Sequence, residues 1–261
     1  MANTKIPKNL NSRPIIALHG TASTGQQWQS LRKAYSGYRE VISPNLPGYG
    51  CQFSPPSVGL TARLQPMLND FIQLNHPVHL VGHSFGGALA LRLAEIFPNK
   101  CLSVTVYEPT SLDVFRQATD QKGVQLLNEI QTLATKVTNA SPLQAMALFI
   151  NFWMGKGHWQ SLRSDAQQQL AQYATITAQD FKDGLFEVEY PSEYQPYSGP
   201  VRLIFGDKTV EIAKHMSHLL AGKLPNASLL QLNGLGHMGP IQNPAAVNQA
   251  IMQHVEGIHR N

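Results

Sequence analysis

The chain has 261 residues, of which 43% are apolar and 14% charged, enough apolar material for the core of one large domain. Its 20 basic and 16 acidic side chains leave a net charge of +4, and no Lys/Arg cluster tracks a phosphate backbone, so nucleic acid is not an expected partner. The first residues lack the apolar stretch of a secretion signal, and no apolar run approaches the roughly 20 residues that span a bilayer. A cytoplasmic protein with no membrane span is therefore expected. Cys51 and Cys101 have neither metal nor redox spacing and are expected to be reduced thiols.

Along the chain, short apolar runs alternate with helical patterns, the signature of parallel strands joined by helical crossovers. Strands are predicted at 14–18, 39–43, 78–81, 102–107, 201–205 and 228–232. Helical periodicity is read at 25–35, 60–75, 85–97, 209–222 and 241–256, the last with Ile241, Val247, Ile251 and Val255 on one face. Residues 110–199 break the alternation, being rich in Gln and helical, without a convincing buried strand. The chain thus divides into an α/β core, residues 1–109 and 200–261, and a helical cap inserted at 110–199. The most aromatic stretch of the cap holds Phe149, Phe152 and Trp153, with Trp159 nearby, and serves either helix packing or an apolar pocket wall. Gly155 and Gly157 suit a turn at which a lid could hinge.

One motif carries chemistry. Gly82-His83-Ser84-Phe85-Gly86-Gly87 stands where an apolar strand turns into a helix. A turn sharp enough to project a serine hydroxyl above a sheet strains the serine backbone and demands small residues two positions either side, which Gly82 and Gly86 supply.

With that elbow the chain resembles the α/β-hydrolase family over nearly its whole length. His19-Gly20-Thr21 follows the first strand, where the family has its oxyanion loop, and Asn45-Leu46-Pro47-Gly48-Tyr49-Gly50 follows the second. The family usually has Asp where Asn45 stands, a departure at a position taken as structural. Gly236-His237-Met238 follows the last strand, matching the family's late histidine. The resemblance implies an α/β-hydrolase fold, a mostly or wholly parallel sheet flanked by helices, with strand order 2-1-3-4-5-6. About a dozen residues precede the first strand, too few for the leading hairpin of the full family sheet. The winding reverses between strands one and three, and ligands bind at such reversals.

The implied roles follow residue by residue. Ser84 is the candidate nucleophile and His237 its general base. The backbone N–H groups of Phe85 and Thr21 are the candidate oxyanion donors, and the Thr21 side chain caps the helix near Gly25 or touches the site. His19 and His83 are taken as structural, and His215 with His218 as a surface pair too poor in ligands for a metal. The family's commonest acid position holds Thr209, leaving two carboxylates, Asp207 and Glu108. Glu108 is favoured because some haloalkane dehalogenases take their acid from that earlier strand end and because Pro109 should hold it extended.

The expected protein is a serine hydrolase of small or medium esters, with no cofactor and no metal. The alternatives are a thioesterase, a perhydrolase or carbon–carbon bond cleaving activity, or a small-ligand-binding protein on the same scaffold. Oligomeric state is not legible.

Overall fold

A computed structural model of the protein describes residues 13–50, 60–117, 120–186 and 196–258. Cys51 and the first 12 residues, on which the expected lack of a leading hairpin bears, lie outside them. Six strands, β1 (Ile15–Leu18), β2 (Val41–Ile42), β3 (Val78–His83), β4 (Cys101–Tyr107), β5 (Val201–Gly206) and β6 (Ala227–Leu232), form one sheet. All pairs are parallel and the order is β2-β1-β3-β4-β5-β6, as expected. Parallel strands need both faces covered, and every residue of β3 is buried. Side chains alternate between two cores: Ile15, Ala17, Val81 and Ile204 share one, Leu18, Leu80, Val104 and Leu203 the other.

The flanking helices on the N-terminal side are α1 (Gln29–Ala34), α2 (Leu60–Ile72) and α3 (Ser84–Ile96). Between β4 and β5 run α4 (Gln121–Asn139), α5 (Pro142–Met154), α6 (His158–Ser161), α7 (Ser164–Ala171) and α8 (Ala174–Phe186). After β5 come α9 (Glu211–Lys223), α10 (Gly239–Gln242) and α11 (Pro244–Gly257). The inserted helices start on strong local signals. Asp120 accepts from the Gly123 N–H at 2.8 Å to cap α4, which buries Leu126, Ile130, Leu133 and Val137 along one stripe. Ser141 and Gln144 form a capping box at the start of α5, with Pro142 in its first turn.

Two predicted elements change. β2 is shorter than expected because the Arg39 N–H bonds the Tyr35 carbonyl at 3.0 Å, closing the turn after α1 instead of joining the sheet. The final helix begins at Pro244, not near 241: the Asn243 side chain accepts from the Ala246 N–H at 3.3 Å and starts a new helix there. Val247, Ile251 and Val255 are buried as their spacing requires, whereas Ile241 is 49% exposed on α10. Among the described residues no helix is long and apolar enough to cross a membrane.

Candidate active site

β3 ends at His83 and α3 begins at Ser84, whose φ of 53° lies in the left-handed region. The glycines around it answer to backbone crowding. A Cβ on Gly82 would stand 2.5 Å from the Gly86 carbonyl oxygen, and one on Gly86 only 2.3 Å from that of His19. The elbow therefore presses directly against the loop after β1.

His237 lies in the loop after β6, 4% exposed, with its Nε2 3.1 Å from Ser84 Oγ. Its Nδ1 is 2.7 Å from Glu108 Oε2, and because a carboxylate only accepts, Nδ1 carries the proton and Nε2 faces the serine hydroxyl as acceptor. The Trp153 ring of α5 stacks on the imidazole, centroids 4.4 Å apart and 24° between planes. Behind it, His83 Nε2–H donates to the His237 carbonyl at 2.8 Å. Burial drives the His83 pKa well below its usual value, helped by the neighbouring His237, so this ring stays a neutral brace.

Glu108 reaches His237, but not by the expected route. Its φ is 44°, not extended. Its N–H still bonds the Ile204 carbonyl at 2.9 Å, so it continues the strand pairing, and the chain then turns until the Thr110 N–H meets the Ser84 carbonyl at 3.1 Å. Pro109 disfavours the right-handed helical region for the residue before it; three donors on the carboxylate hold the left-handed alternative. They are the Gly206 N–H on Oε1 at 2.9 Å, and Thr209 Oγ1 at 2.6 Å and His237 Nδ1 on Oε2. Thr209 thus bonds the carboxylate of the neighbouring strand end.

Asp207, the other carboxylate left open by the sequence, does not touch His237. Its Oδ1 accepts from the Gly234 N–H at 2.6 Å, closing the turn after β6, and its Oδ2 is 3.5 Å from Lys208 Nζ.

The loop after β1 is tied down at several points. His19 Nδ1–H donates to the Gly20 carbonyl at 2.8 Å and its Nε2 accepts from the Leu46 N–H at 2.9 Å. Burial pushes its pKa down to about 4, which keeps Nε2 available as an acceptor. Asn45 Oδ1 accepts from the Gly25 N–H at 2.9 Å, so the amide supplies a structural oxygen where the resemblance leads one to expect a carboxylate. Thr24, not Thr21, caps the short helical turn at Gly25. The Thr21 hydroxyl instead donates to Asp180 Oδ2 at 2.5 Å, and the Tyr49 hydroxyl donates to the same oxygen. Phe85 is buried in the first turn of α3, the end of a helix whose N–H groups project outward along the axis.

Ser84, Thr21 and Phe85 open onto a small cavity. Phe149 and Trp153 of α5, Leu112, and Thr177, Asp180 and Phe181 of α8 line it. Trp159 is buried but does not line it, and Phe152 faces an outer groove. Gly155 and Gly157 both have positive φ, 101° and 89°. His215 stacks on Phe115 and His218 packs on Phe205, so the pair is split. No group of three or more metal-ligating side chains occurs among the described residues. Cys101 is buried, and burial lifts its thiol pKa to about 12.

Thr209, Trp153, Tyr49 and Asp180 carry roles at this site that the sequence did not reveal. Trp153 left a trace in the aromatic stretch read as helix packing or a pocket wall, and Asp180 one as a polar residue spaced, with Thr177, like core positions of a helix.

A family model described as the alpha/beta hydrolase family matches residues 15–250. Among curated relatives, the magnesium-chelatase 30 kDa subunit of Rhodobacter capsulatus is 38% identical over 89 residues, 31% of this chain and 29% of that protein. Protein PHYLLO of Arabidopsis thaliana is 23% identical over 98% of this chain, which spans only 16% of its length. Monoacylglycerol lipase ABHD6 of Bos taurus is 23% identical over 94% of this chain and 76% of its own. A thermophilic esterase from Thermogutta terrifontis superposes with a TM-score of 0.68 over 95% of this chain and 90% of that one, at 19% identity, a likeness of fold.

Proposed function

The chain belongs to the alpha/beta hydrolase family, and on that footing we propose that it is a serine hydrolase of small or medium carboxylic esters. One observation carries the reading: Ser84, His237 and Glu108 form an unbroken relay, 3.1 and 2.7 Å, buried at the wall of a mostly apolar cavity. Hydrolases among the relatives support the reaction class.

In this mechanism Ser84 Oγ attacks the ester carbonyl carbon while its proton passes to His237 Nε2. Glu108 holds the Nδ1–H tautomer and balances the imidazolium that forms. The tetrahedral oxyanion accepts from the Phe85 and Thr21 backbone N–H groups, each such donor being worth about 10²–10³ in rate. His237 then returns its proton to the alcohol as the carbon–oxygen bond breaks, leaving an acyl group on Ser84. Water, deprotonated by the same imidazole, attacks the acyl carbon, and as the acyl–Oγ bond breaks to release the acid, His237 returns that proton to Ser84 Oγ. Trp153 stacked on the ring favours the charged imidazolium, a cation–π contribution of about 0.5–2 kcal/mol.

The test is steady-state hydrolysis of p-nitrophenyl esters from acetate to dodecanoate, beside Ser84→Ala. Turnover that disappears in the variant supports the reading, and the chain-length optimum measures the cavity. Equal background rates in both proteins would overturn it in favour of ligand binding.

A further inference from the structure

Successive residues of the loop after β1 are held from different sides. His19 and Gly20 are fixed by the core: the His19 ring spans the Gly20 carbonyl and the Leu46 N–H, and Gln27 Oε1 accepts the Gly20 N–H at 3.2 Å. With that N–H committed, the next along the chain is that of Thr21, the oxyanion donor of the proposed mechanism. The loop abuts the nucleophile, since a Cβ on Gly20 would stand 3.2 Å from that of Ser84. At Thr21 the hold comes from the cap. Its hydroxyl donates to Asp180 Oδ2 on α8 at 2.5 Å, and Ala22 follows with a left-handed φ of 57°, a conformation that persists only where the surroundings impose it. The same carboxylate oxygen accepts the Tyr49 hydroxyl, and the Tyr49 ring packs edge-on against His19 with centroids 5.1 Å apart. One carboxylate on the cap, 5% exposed, thus grips the loops after β1 and β2 together. Hydrogen bonds to a carboxylate are the short, strong kind, and burial keeps water from replacing them.

We propose that Asp180 is a positioning residue for catalysis: from the cap it holds Thr21 so that the Thr21 backbone N–H aims at the oxyanion, and the oxyanion hole is complete only when the cap is docked on the core. This rests on the reading that Ser84 attacks an ester. A hydrogen bond weakens steeply as its donor swings out of line, so a loop released at Thr21 loses transition-state stabilisation while the cavity that binds the acyl group stays in place. A merely structural Asp180 would fasten the cap and affect every ligand of the cavity alike.

The experiment compares two ligands of one shape. With an alkyl trifluoromethyl ketone, Ser84 Oγ bonds the carbonyl carbon, the serine proton passes to His237 Nε2 and the carbonyl π pair becomes a hemiketal oxyanion. The matching trifluoromethyl carbinol fills the same space and forms no oxyanion. Their Ki ratio is measured in the wild type, Asp180→Ala and Thr21→Val, beside kcat and KM for p-nitrophenyl butyrate. In both variants kcat should fall by about 10–100-fold, part of the 10²–10³ of a whole donor, with KM within about threefold. The preference for ketone over carbinol should shrink by the same factor as kcat/KM, because the hemiketal resembles the transition state. Asp180→Asn, which keeps an accepting oxygen, should recover part of the loss. Thr21→Val leaves the Tyr49 bond to Asp180 intact and so decides the matter if Asp180→Ala does not fold. Variants that lose ketone and carbinol binding equally, or that keep the wild-type preference, overturn the proposal and leave Asp180 a fastener of the cap. A wild type that binds both ligands equally overturns the serine hydrolase reading itself, and this inference with it.

Discussion

β4 and β5 are neighbours in the sheet and each ends near a carboxylate, yet Glu108 meets His237 and Asp207 closes a turn. Glu108 comes directly after its strand with φ of 44°, and that left-handed turn points it at the histidine loop. Asp207 bonds backward to Gly234. Between them Thr209 donates to Glu108, so the two strand ends share one acid, held from both sides. Proximity to a strand end is therefore a poor guide to which carboxylate faces a histidine. Backbone dihedral and hydrogen-bond donors decide it.

The sharpest way to break this contrast is to neutralise each carboxylate in turn. Glu108→Gln should lower kcat by about 10³–10⁴, the scale seen when a triad acid becomes an amide, while Asp207→Asn stays within about threefold in kcat. The reverse result in ester assays would reassign the acid. Moving the charge across the pair is the next step: Thr209→Asp added to Glu108→Gln should regain about tenfold or more of the loss, and no recovery would mean that only β4 can present the acid.

Removing the shared donor alone asks how much the second strand end contributes. Thr209→Val takes away one hydrogen bond to a charged group, about 1.5–3 kcal/mol, and should reduce kcat about tenfold with KM little changed. On the opposite face of the ring, Trp153→Leu should reduce kcat/KM by about three- to thirtyfold, read from the same assay, as the stacking on the imidazolium is lost.

The last effect is on stability and not on rate. Burial pushes His19 and His254 down to about 4. Below about pH 6.5 the unfolded chain takes up protons at these sites while the folded chain does not, so stability is lost as pH falls from about 6.5 to 4. The unfolding free energy from urea titrations should drop between pH 7.5 and 5 by a few kcal/mol in all, with the midpoint falling accordingly, and His254→Gln should shrink the drop. A midpoint independent of pH would contradict buried neutral rings.

Much of this was legible beforehand for a local reason. Alternating apolar runs and helical periods mark the six strands and their crossovers, because burial on both faces of the central strands is written into consecutive residues, while the edge strands β2 and β6 are partly exposed. The elbow is equally local: Gly82, Ser84 and Gly86 are within five positions, and their sizes state the crowding they must satisfy. His237 was legible through the family pattern around it. The extended Glu108 and the helix start at Ile241 were misread where a hydrogen bond from elsewhere overrode the nearest neighbours, and of the two roles left open for the Thr21 side chain the contact at the site is the one found.

By itself, then, the amino-acid sequence determined the layered architecture, the serine and histidine to consider, and a pair of candidate acids. Only the tertiary structure decided which carboxylate meets the imidazole, that Trp153 covers it, and that Asp180 and Thr177 look into the cavity. Glu108 and His237 are 129 positions apart, and Thr21 and Asp180 are 159 apart. Contacts at such separations are set by strand order, turn dihedrals and the docking of α8. No local pattern of residues encodes those quantities.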